Sequence, residues 1–232
     1  MKNSNLLPVT ALTVNQLVDE HGASKMMYLK GFPRQYRFDA SKGLFNLNGE
    51  QTVSASKQPF RFVPLAYRVF VDTLFNYSEM KWTEFFFLNG DMQVCSTLFH
   101  QFSTESFLDY AHNHLFYMGL NPCEAVWTVI PNEKTNVVHS SKYYIASFCA
   151  EPMDTETKEA VEVARTLIEP LLRADTLTEN CKMIASLFYG DTEGVQMQLS
   201  EAVEIEADKL DRQNDAKSKR FAKGVVSDGV TV

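Results

Sequence analysis

KWTEFFFLNGDMQVCSTLFH, residues 81 to 100, contains two apolar runs joined by Asn89, Gly90 and Asp91. Asn-Gly between apolar runs is a strong hairpin signal, because both residues tolerate positive φ. The runs themselves are rich in aromatic and β-branched residues, which is typical of strands. The stretch therefore predicts a β-hairpin with strands at 82–88 and 92–100.

Strand-like alternation extends on both sides of this hairpin, from about residue 34 to residue 149. The further predicted strands lie at 34–39, 44–48, 60–71, 125–130 and 142–149. Trp82 and Trp127 sit in the middle of strongly apolar strands, so we expect both to be buried.

Helical periodicity appears in the remaining parts of the chain. Predicted helices cover 10–20, 103–118, 155–174, 176–189 and 192–220. For the first, Thr13 is a candidate cap. For the second, Ser103 or Thr104 is the expected N-cap and Gly119 follows the expected end. The last has only a thin apolar stripe of Val195, Leu199, Val203 and Leu210 among charges, which is typical of a helix on a surface or against a partner.

From residue 60, the order is strand, strand, strand, helix, strand, strand. That order is found in the OB-fold, a five-stranded, partly open barrel whose face and loops bind oligonucleotides or oligosaccharides. We therefore predict an α+β fold with an OB-like small β-barrel, an added N-terminal hairpin and a C-terminal helical extension. The expected segments are 1–24 with a short helix, 25–152 as the β-rich domain, 153–210 as an acidic helical extension, and 211–232 as a basic, disordered tail.

Charge is unevenly distributed in this acidic chain of 232 residues, whose net charge is −7. Residues 25–68 contain eight cations and two anions, a net charge of +6, whereas residues 151–208 contain fourteen acids and four cations, a net charge of −10. Such asymmetry suggests contact with a nucleic acid or a membrane, or one part of the chain masking another.

The basic region interleaves its cations with aromatic rings, most densely in GFPRQYRFDASKGLFNLNGE, residues 31–50. Single-stranded nucleic acid binds such mixtures, because a base stacks on a ring for about 1–3 kcal/mol while Lys and Arg neutralise the backbone. The alternative is that the rings form the core of a half-buried sheet. The predicted nucleic-acid-binding residues are Arg34, Tyr36, Arg37, Phe38, Lys42, Arg61 and Tyr67.

In strand order and in this aromatic and basic mixture, residues 25–150 resemble the OB-fold single-stranded DNA-binding proteins of bacteriophages and related mobile elements. The resemblance implies a non-catalytic role in replication or recombination, with DNA, or alternatively RNA, as the ligand. Proteins of this family often end in an acidic tail with a terminal aromatic that recruits replication partners and masks the DNA groove. This chain ends instead in SDGVTV, and its acidic run EAVEIEAD lies earlier, at 201–208.

No catalytic, cofactor or metal site is predicted. The chain lacks GxxxxGK[ST], GxGxxG, HExxH and GxSxG. His112 and His114 are two residues apart, so on a helix they do not share a face. Cys95, Cys123, Cys149 and Cys181 are spread singly and are expected to be reduced thiols. With no apolar run long enough for a membrane span or a secretory signal, we expect a cytoplasmic protein of a bacterial or phage-infected cell.

A second hypothesis is a phage or mobile-element interaction or structural factor, whose acidic helices bind a protein while the sheet scaffolds them. The replication partner of the first hypothesis would use the same helices. A third hypothesis is that the acidic segment folds onto the basic one, giving autoinhibition or a head-to-tail homo-oligomer.

Overall fold

Strands form most of the structure, a computed structural model that describes residues 6–136, 141–168 and 170–190. The strands are β1 (Arg34–Asp39), β2 (Leu44–Leu47), β3 (Gln51–Thr52), β4 (Phe60–Phe62), β5 (Pro64–Asp72), β6 (Met80–Leu88), β7 (Val94–His100), β8 (Ala125–Asn136), β9 (Ser141–Pro152) and β10 (Lys182–Leu187). The α-helices are α1 (Val14–Leu17), α2 (Phe102–Tyr110) and α3 (Thr155–Ile168). The fold class is α+β, as predicted. No helix in the described ranges is long and apolar enough to cross a membrane.

The strands are arranged in two sheets. The large sheet has seven strands in the order β10-β5-β6-β7-β1-β2-β3, and the small sheet has three in the order β4-β8-β9. Neighbouring strands are antiparallel except β1 and β7, which are parallel. The predicted hairpin at 34–48 is confirmed as β1 and β2, and its parallel pairing with β7 makes it part of the large sheet.

The hairpin of β6 and β7 is confirmed at the centre of the large sheet, with Leu88 paired to Val94. Its loop is held by the buried side chain of Asn89, whose Oδ1 accepts from the backbone N of Asp91 at 3.1 Å and of Gln93 at 3.0 Å. The positive φ in this loop falls on Met92, at 57°. The Asn therefore stabilises the turn as a hydrogen-bond acceptor rather than by adopting a left-handed conformation.

The predicted strand 60–71 is divided between the two sheets. β4 pairs with β8 in the small sheet, and after Val63 the chain continues as β5, which pairs with β6 in the large sheet. A strand that changes sheets in this way makes a corner between them. The sheets stay open elsewhere, so the described strands form no closed barrel, and the partly open OB-like barrel stays a prediction.

Aromatic side chains fill the space between the sheets. Phe60 of β4 stacks on Phe45 of β2 with ring centroids 4.0 Å apart, and Phe62 lies 5.3 Å from both Phe85 and Phe87 of β6. Trp127 is fully buried in the same cluster, and Trp82 is buried on the opposite face of the large sheet, as predicted. Residues i and i+2 of a strand point to the same face, so the apolar residues at alternate positions come together in this layer.

The opposite face of the large sheet is partly covered by α1 and α3. Val161 and Ala164 of α3 belong to the same buried cluster as Ala66 and Phe86 of the sheet. The chain from 171 to 190 then adds β10 beside β5. Residues 153–190 thus contribute to the same sheet and core as residues 34–152.

The helix predictions have mixed outcomes. α3 is confirmed, but the predicted helix at 176–189 is wrong, because this apolar run forms β10 at the sheet edge. The helix expected at 10–20 is only the single turn of α1 after Thr13. The one expected at 103–118 begins as α2, continues as a π-turn and a 3₁₀ turn, and ends at Gly119 with φ 67°. The helix expected at 192–220 lies outside the described residues.

A buried ion pair links β5 to β6 beneath the 171–190 segment. Arg68 Nε donates to Glu84 Oε2 at 2.9 Å, and both side chains are fully buried. The guanidinium lies 3.9 Å from the ring centroid of Phe70 and 4.2 Å from that of Tyr189, and Arg173 Nη1 is 3.8 Å from Glu84 Oε1. Arg173 is held at closer range by Asp175, at 2.7 Å and 3.0 Å, so Glu84 is chiefly the partner of Arg68.

Replacing Glu84 with Leu should lower the free energy of unfolding by about 3–5 kcal/mol, because it leaves the buried guanidinium of Arg68 without its carboxylate. Urea denaturation measures the loss. The matched control is Glu79→Leu, which removes an exposed carboxylate that binds Lys182 at 2.9 Å and should change stability by less than about 0.5 kcal/mol. Similar losses of stability in the two variants would show that the buried ion pair stabilises the sheet no more than the exposed one.

Candidate nucleic-acid interface

Two of the predicted stacking residues are in the core. Tyr36 and Tyr67 are each 1% exposed, and burial raises the pKa of both phenols. The hydroxyl of Tyr36 donates to the backbone oxygen of Leu6. A base has no access to either ring, so both residues are removed from the predicted interface. Strand alternation placed them on the inner face, between the two sheets.

The predicted cations do not converge on one surface. Arg37 is exposed on the outer face of β1, whereas Arg34 donates to the side chain of Gln93 and Arg61 binds Glu151 on the small sheet. Lys42 is exposed in the β1–β2 turn, with its Nζ 3.8 Å from Asp39. Arg68 is fully buried, so the net charge of residues 25–68 overstates the charge that a ligand meets.

Phe38 is the predicted ring that is only half-buried, and it lines a groove where the two sheets meet. We call this the seam groove. Its inner hollow, about 170 Å³, is lined by Phe38, Ala40, Leu98, Phe99, His100, Gln101, Phe102, Ser103, Tyr143, Tyr144 and Ile145. An adjoining outer hollow of about 440 Å³ shares Phe102, Tyr143 and Ile145 and adds Glu105, Ser106, Asp109 and Lys134. Besides the buried Phe99, four Phe and Tyr rings from three distant parts of the chain therefore line one surface.

The seam exists because none of the described strands pairs with the outer edge of β9. The β1–β2 turn contacts this edge at Tyr144, whose N donates to Ala40 O at 2.7 Å. Two residues further along, α2 contacts it at Ala146, whose N donates to Ser103 Oγ at 3.0 Å. Gly43 is required here, because a Cβ at this position would lie 2.6 Å from the Tyr144 ring. These contacts fix the walls of the groove.

Gln101, which lines the inner hollow, has a strained backbone. Its φ of 47° and ψ of −124° lie in a region that residues other than glycine rarely occupy. The conformation turns the chain sharply from β7 into α2 and places Phe102, 57% exposed, at the groove. Strain of this kind is retained where the surrounding structure enforces it, and it clusters at functional sites.

Lysines surround the groove, but carboxylates balance them. Glu133 accepts from Lys57 Nζ and Lys142 Nζ, each at 2.6 Å, and from the Tyr144 hydroxyl at 3.2 Å. The hydrogen bond from Lys142, followed by that from Lys57, lowers the pKa of Glu133 to about 2. Lys134 lies in the outer hollow with Glu105 and Asp109. The groove is therefore aromatic with a mixed-charge rim, rather than strongly basic.

A second pair of exposed rings packs on Trp82, beyond His100. Phe75 and Tyr77, 51% and 47% exposed, lie in the loop between β5 and β6. The Tyr77 ring centroid is 5.0 Å from that of His100, which lines the inner hollow. Burial lowers the pKa of His100, so its ring is neutral at pH 7. The His100 ring also lies 5.2 Å from that of Trp82, so Tyr77 adjoins the inner hollow only through His100.

Most of the groove residues were not predicted from the sequence. Lys134 and Lys142 flank the polar stretch between two predicted strands, and Tyr143 and Tyr144 stand beside them, so the basic and aromatic mixture recurs there. That local signal was available. No local signal joins Phe38 to Phe102 and Tyr143, because the tertiary fold alone brings them together.

Comparisons with protein-family models, with curated proteins and with solved structures give no match. Geometry and charge therefore carry the assignment of this site. Within residues 6–136, 141–168 and 170–190, no three His, Cys, Asp or Glu side chains are grouped so as to hold a metal ion. The four cysteines are free thiols, and burial raises the pKa of Cys95 and of Cys123 to about 12, so neither is a ready nucleophile.

Replacing Gln101 with Gly should raise the free energy of unfolding by about 1 kcal/mol, because relief of strain outweighs the added flexibility of the unfolded chain. Thermal and urea denaturation measure the gain. Gln51→Gly is the matched control: Gln51 is an exposed residue of β3 without a positive φ, and its replacement should lower stability by about 0.5–1 kcal/mol. A loss in both variants would contradict strain at Gln101.

Proposed function

We propose that the protein binds single-stranded nucleic acid, most simply DNA, along the seam groove, and that it does so without catalysis. The observation that carries the proposal is the convergence of Phe38, Phe102, Tyr143 and Tyr144 on one groove. Rings at the surface offer stacking platforms for bases of any identity, each worth about 1–3 kcal/mol. The role in replication or recombination follows from the resemblance of residues 25–150 to phage single-strand-binding proteins.

The order of the elements along the chain supports this proposal. The order along the chain, β5, β6, β7, α2, β8 and β9, is the order of elements in an OB-fold. The first strand of that order is preceded directly by β4, which pairs in the small sheet, so the first strand contributes to both sheets. OB-folds bind ligands on the face of their second and third strands and on the loops after the first and fourth strands. The first of these loops carries Phe75 and Tyr77.

Electrostatics has a minor part in the proposed binding. Lys42, Lys57, Lys134 and Lys142 surround the groove, and Asp39, Glu105, Asp109 and Glu133 balance them. Phosphates would have to compete with Glu133 for Lys57 and Lys142. We therefore expect stacking to supply most of the affinity and the dependence on salt to be shallow.

A protein-interaction factor is the second candidate function, and one observation favours it. Phe116, Tyr117 and Met118 are consecutive and exposed, at 56%, 76% and 48%, on the 3₁₀ turn after α2. Large exposed apolar side chains in one place mark contact surfaces. The sheets would then scaffold this contact, and the chain would not bind an oligonucleotide.

Fluorescence anisotropy with a labelled oligo-dT tests the proposal. The wild-type chain should bind at about 50 mM salt, and log K should fall with log salt by about 0.7 for each phosphate contacted, so by no more than about 3 for four lysines. Phe102→Ala should weaken binding by about fivefold to a hundredfold, because a stacked base loses its platform.

Phe116→Ala is the matched control, since Phe116 is as exposed as Phe102 but lies outside the groove. It should change the affinity less than twofold if the groove is the binding site, an estimate for a side chain that makes no contact. If micromolar wild-type protein does not bind at all, the interaction factor is the better account. If the two variants weaken binding equally, the strand does not lie in the seam groove.

A further inference from the structure

Three large apolar side chains are exposed on the loop before β1, on another part of the surface. Met27, Leu29 and Phe32 are 52%, 72% and 63% exposed, and we call them the loop patch. The loop is fixed to the body: Met27 N donates to Met92 O at 2.9 Å, and Ala174 N donates to Gly31 O at 2.8 Å. A rigid, clustered apolar surface of this kind is a contact site.

The loop patch is also basic. Lys25 and Lys30 are exposed beside it, and no acidic residue occurs between Glu20 and Asp39. A partner that carries both apolar and acidic side chains would therefore complement it. Such a partner is present in the same chain.

The chain leaves the described structure close to the loop patch. Gly190 N donates to Leu171 O at 2.8 Å, and the neighbouring Leu172 packs against both Gly190 and Gly31. Residue 31 lies between Leu29 and Phe32. A connection of a few residues, each spanning up to about 3.5 Å, is enough to reach the patch from Gly190.

The sequence beyond Gly190 has the composition that the loop patch requires. Val195, Leu199 and Val203 recur at intervals of four residues, which is the spacing of one helix face. Residues 191–211 contain seven acids, with Lys209 as the only cation. Apolar and acidic side chains are thus combined in one segment that is tethered beside an apolar and basic surface.

We propose that residues 195–210 of the same chain dock on the loop patch. Val195, Leu199 and Val203 cover Met27, Leu29 and Phe32, and the acids of the segment lie near Lys25 and Lys30. The contact is independent of the seam groove and does not require that the protein bind nucleic acid. Its tethering makes it intramolecular, because a short connection gives a high effective concentration.

Hydroxyl-radical footprinting of the full chain, read by mass spectrometry, tests the docking. Met118 and Phe116 are internal references, because they are about as exposed as Met27 and Phe32 in the described structure. Met27 and Phe32 should be oxidised about fivefold more slowly than their references, since docking takes them from half exposed to nearly buried. The double substitution Leu199→Asp and Val203→Asp should bring each pair to similar rates.

The control is the double substitution Val225→Asp and Val226→Asp, which should leave the protection of Met27 and Phe32 unchanged. Equal oxidation of each residue and its reference in the wild-type chain would overturn the proposal. So would protection that increases with protein concentration, because a second copy would then be the occupant. Loss of protection in the control variant would show that residues 195–210 are not the docking segment.

Discussion

The layer of aromatic rings between the two sheets is the constraint on which the rest of the structure depends. Phe60 and Phe62 enter this layer from the small sheet, at the strand that then crosses into the large sheet at Val63. The rings are buried, closely packed and contributed by both sheets. Removing one of them would leave a cavity that the opposite sheet cannot fill, which is the costly case for a core substitution.

The same layer creates the seam. The sheets join at one corner through β4 and β5, and at the other side the edge of β9 is hydrogen-bonded to the backbone of Ala40 and to the hydroxyls of Ser103 and Tyr110. Aromatic side chains at this margin, Phe38 among them, are only partly covered. Rings inside the layer hold the sheets together, and the half-buried rings at its margin are the ones that we propose bind a ligand.

Local patterns in the sequence predicted local structure well. The β6–β7 hairpin, the β1–β2 hairpin and α3 all follow from turn residues or apolar spacing within a short window. Residues 182–187 were assigned wrongly to a helix, because a short apolar run has no decisive period and the free edge of β5 makes it a strand. Burial of Tyr36 and Arg68 and the parallel pairing of β1 with β7 depend on residues far away in sequence. Of the predicted interface residues, Phe38 therefore lines the groove and Lys42 lies in the adjoining β1–β2 turn.

Photocrosslinking shows whether a single strand of nucleic acid lies along the seam groove, as we propose. An oligonucleotide containing 5-bromodeoxyuridine is irradiated with the full chain, and the adducts are located by mass spectrometry. A strand bound in the groove should give adducts on Phe102, Tyr143 or Tyr77, which line or adjoin the groove. Adducts confined to Phe32, or to Phe116 and Tyr117, would contradict it.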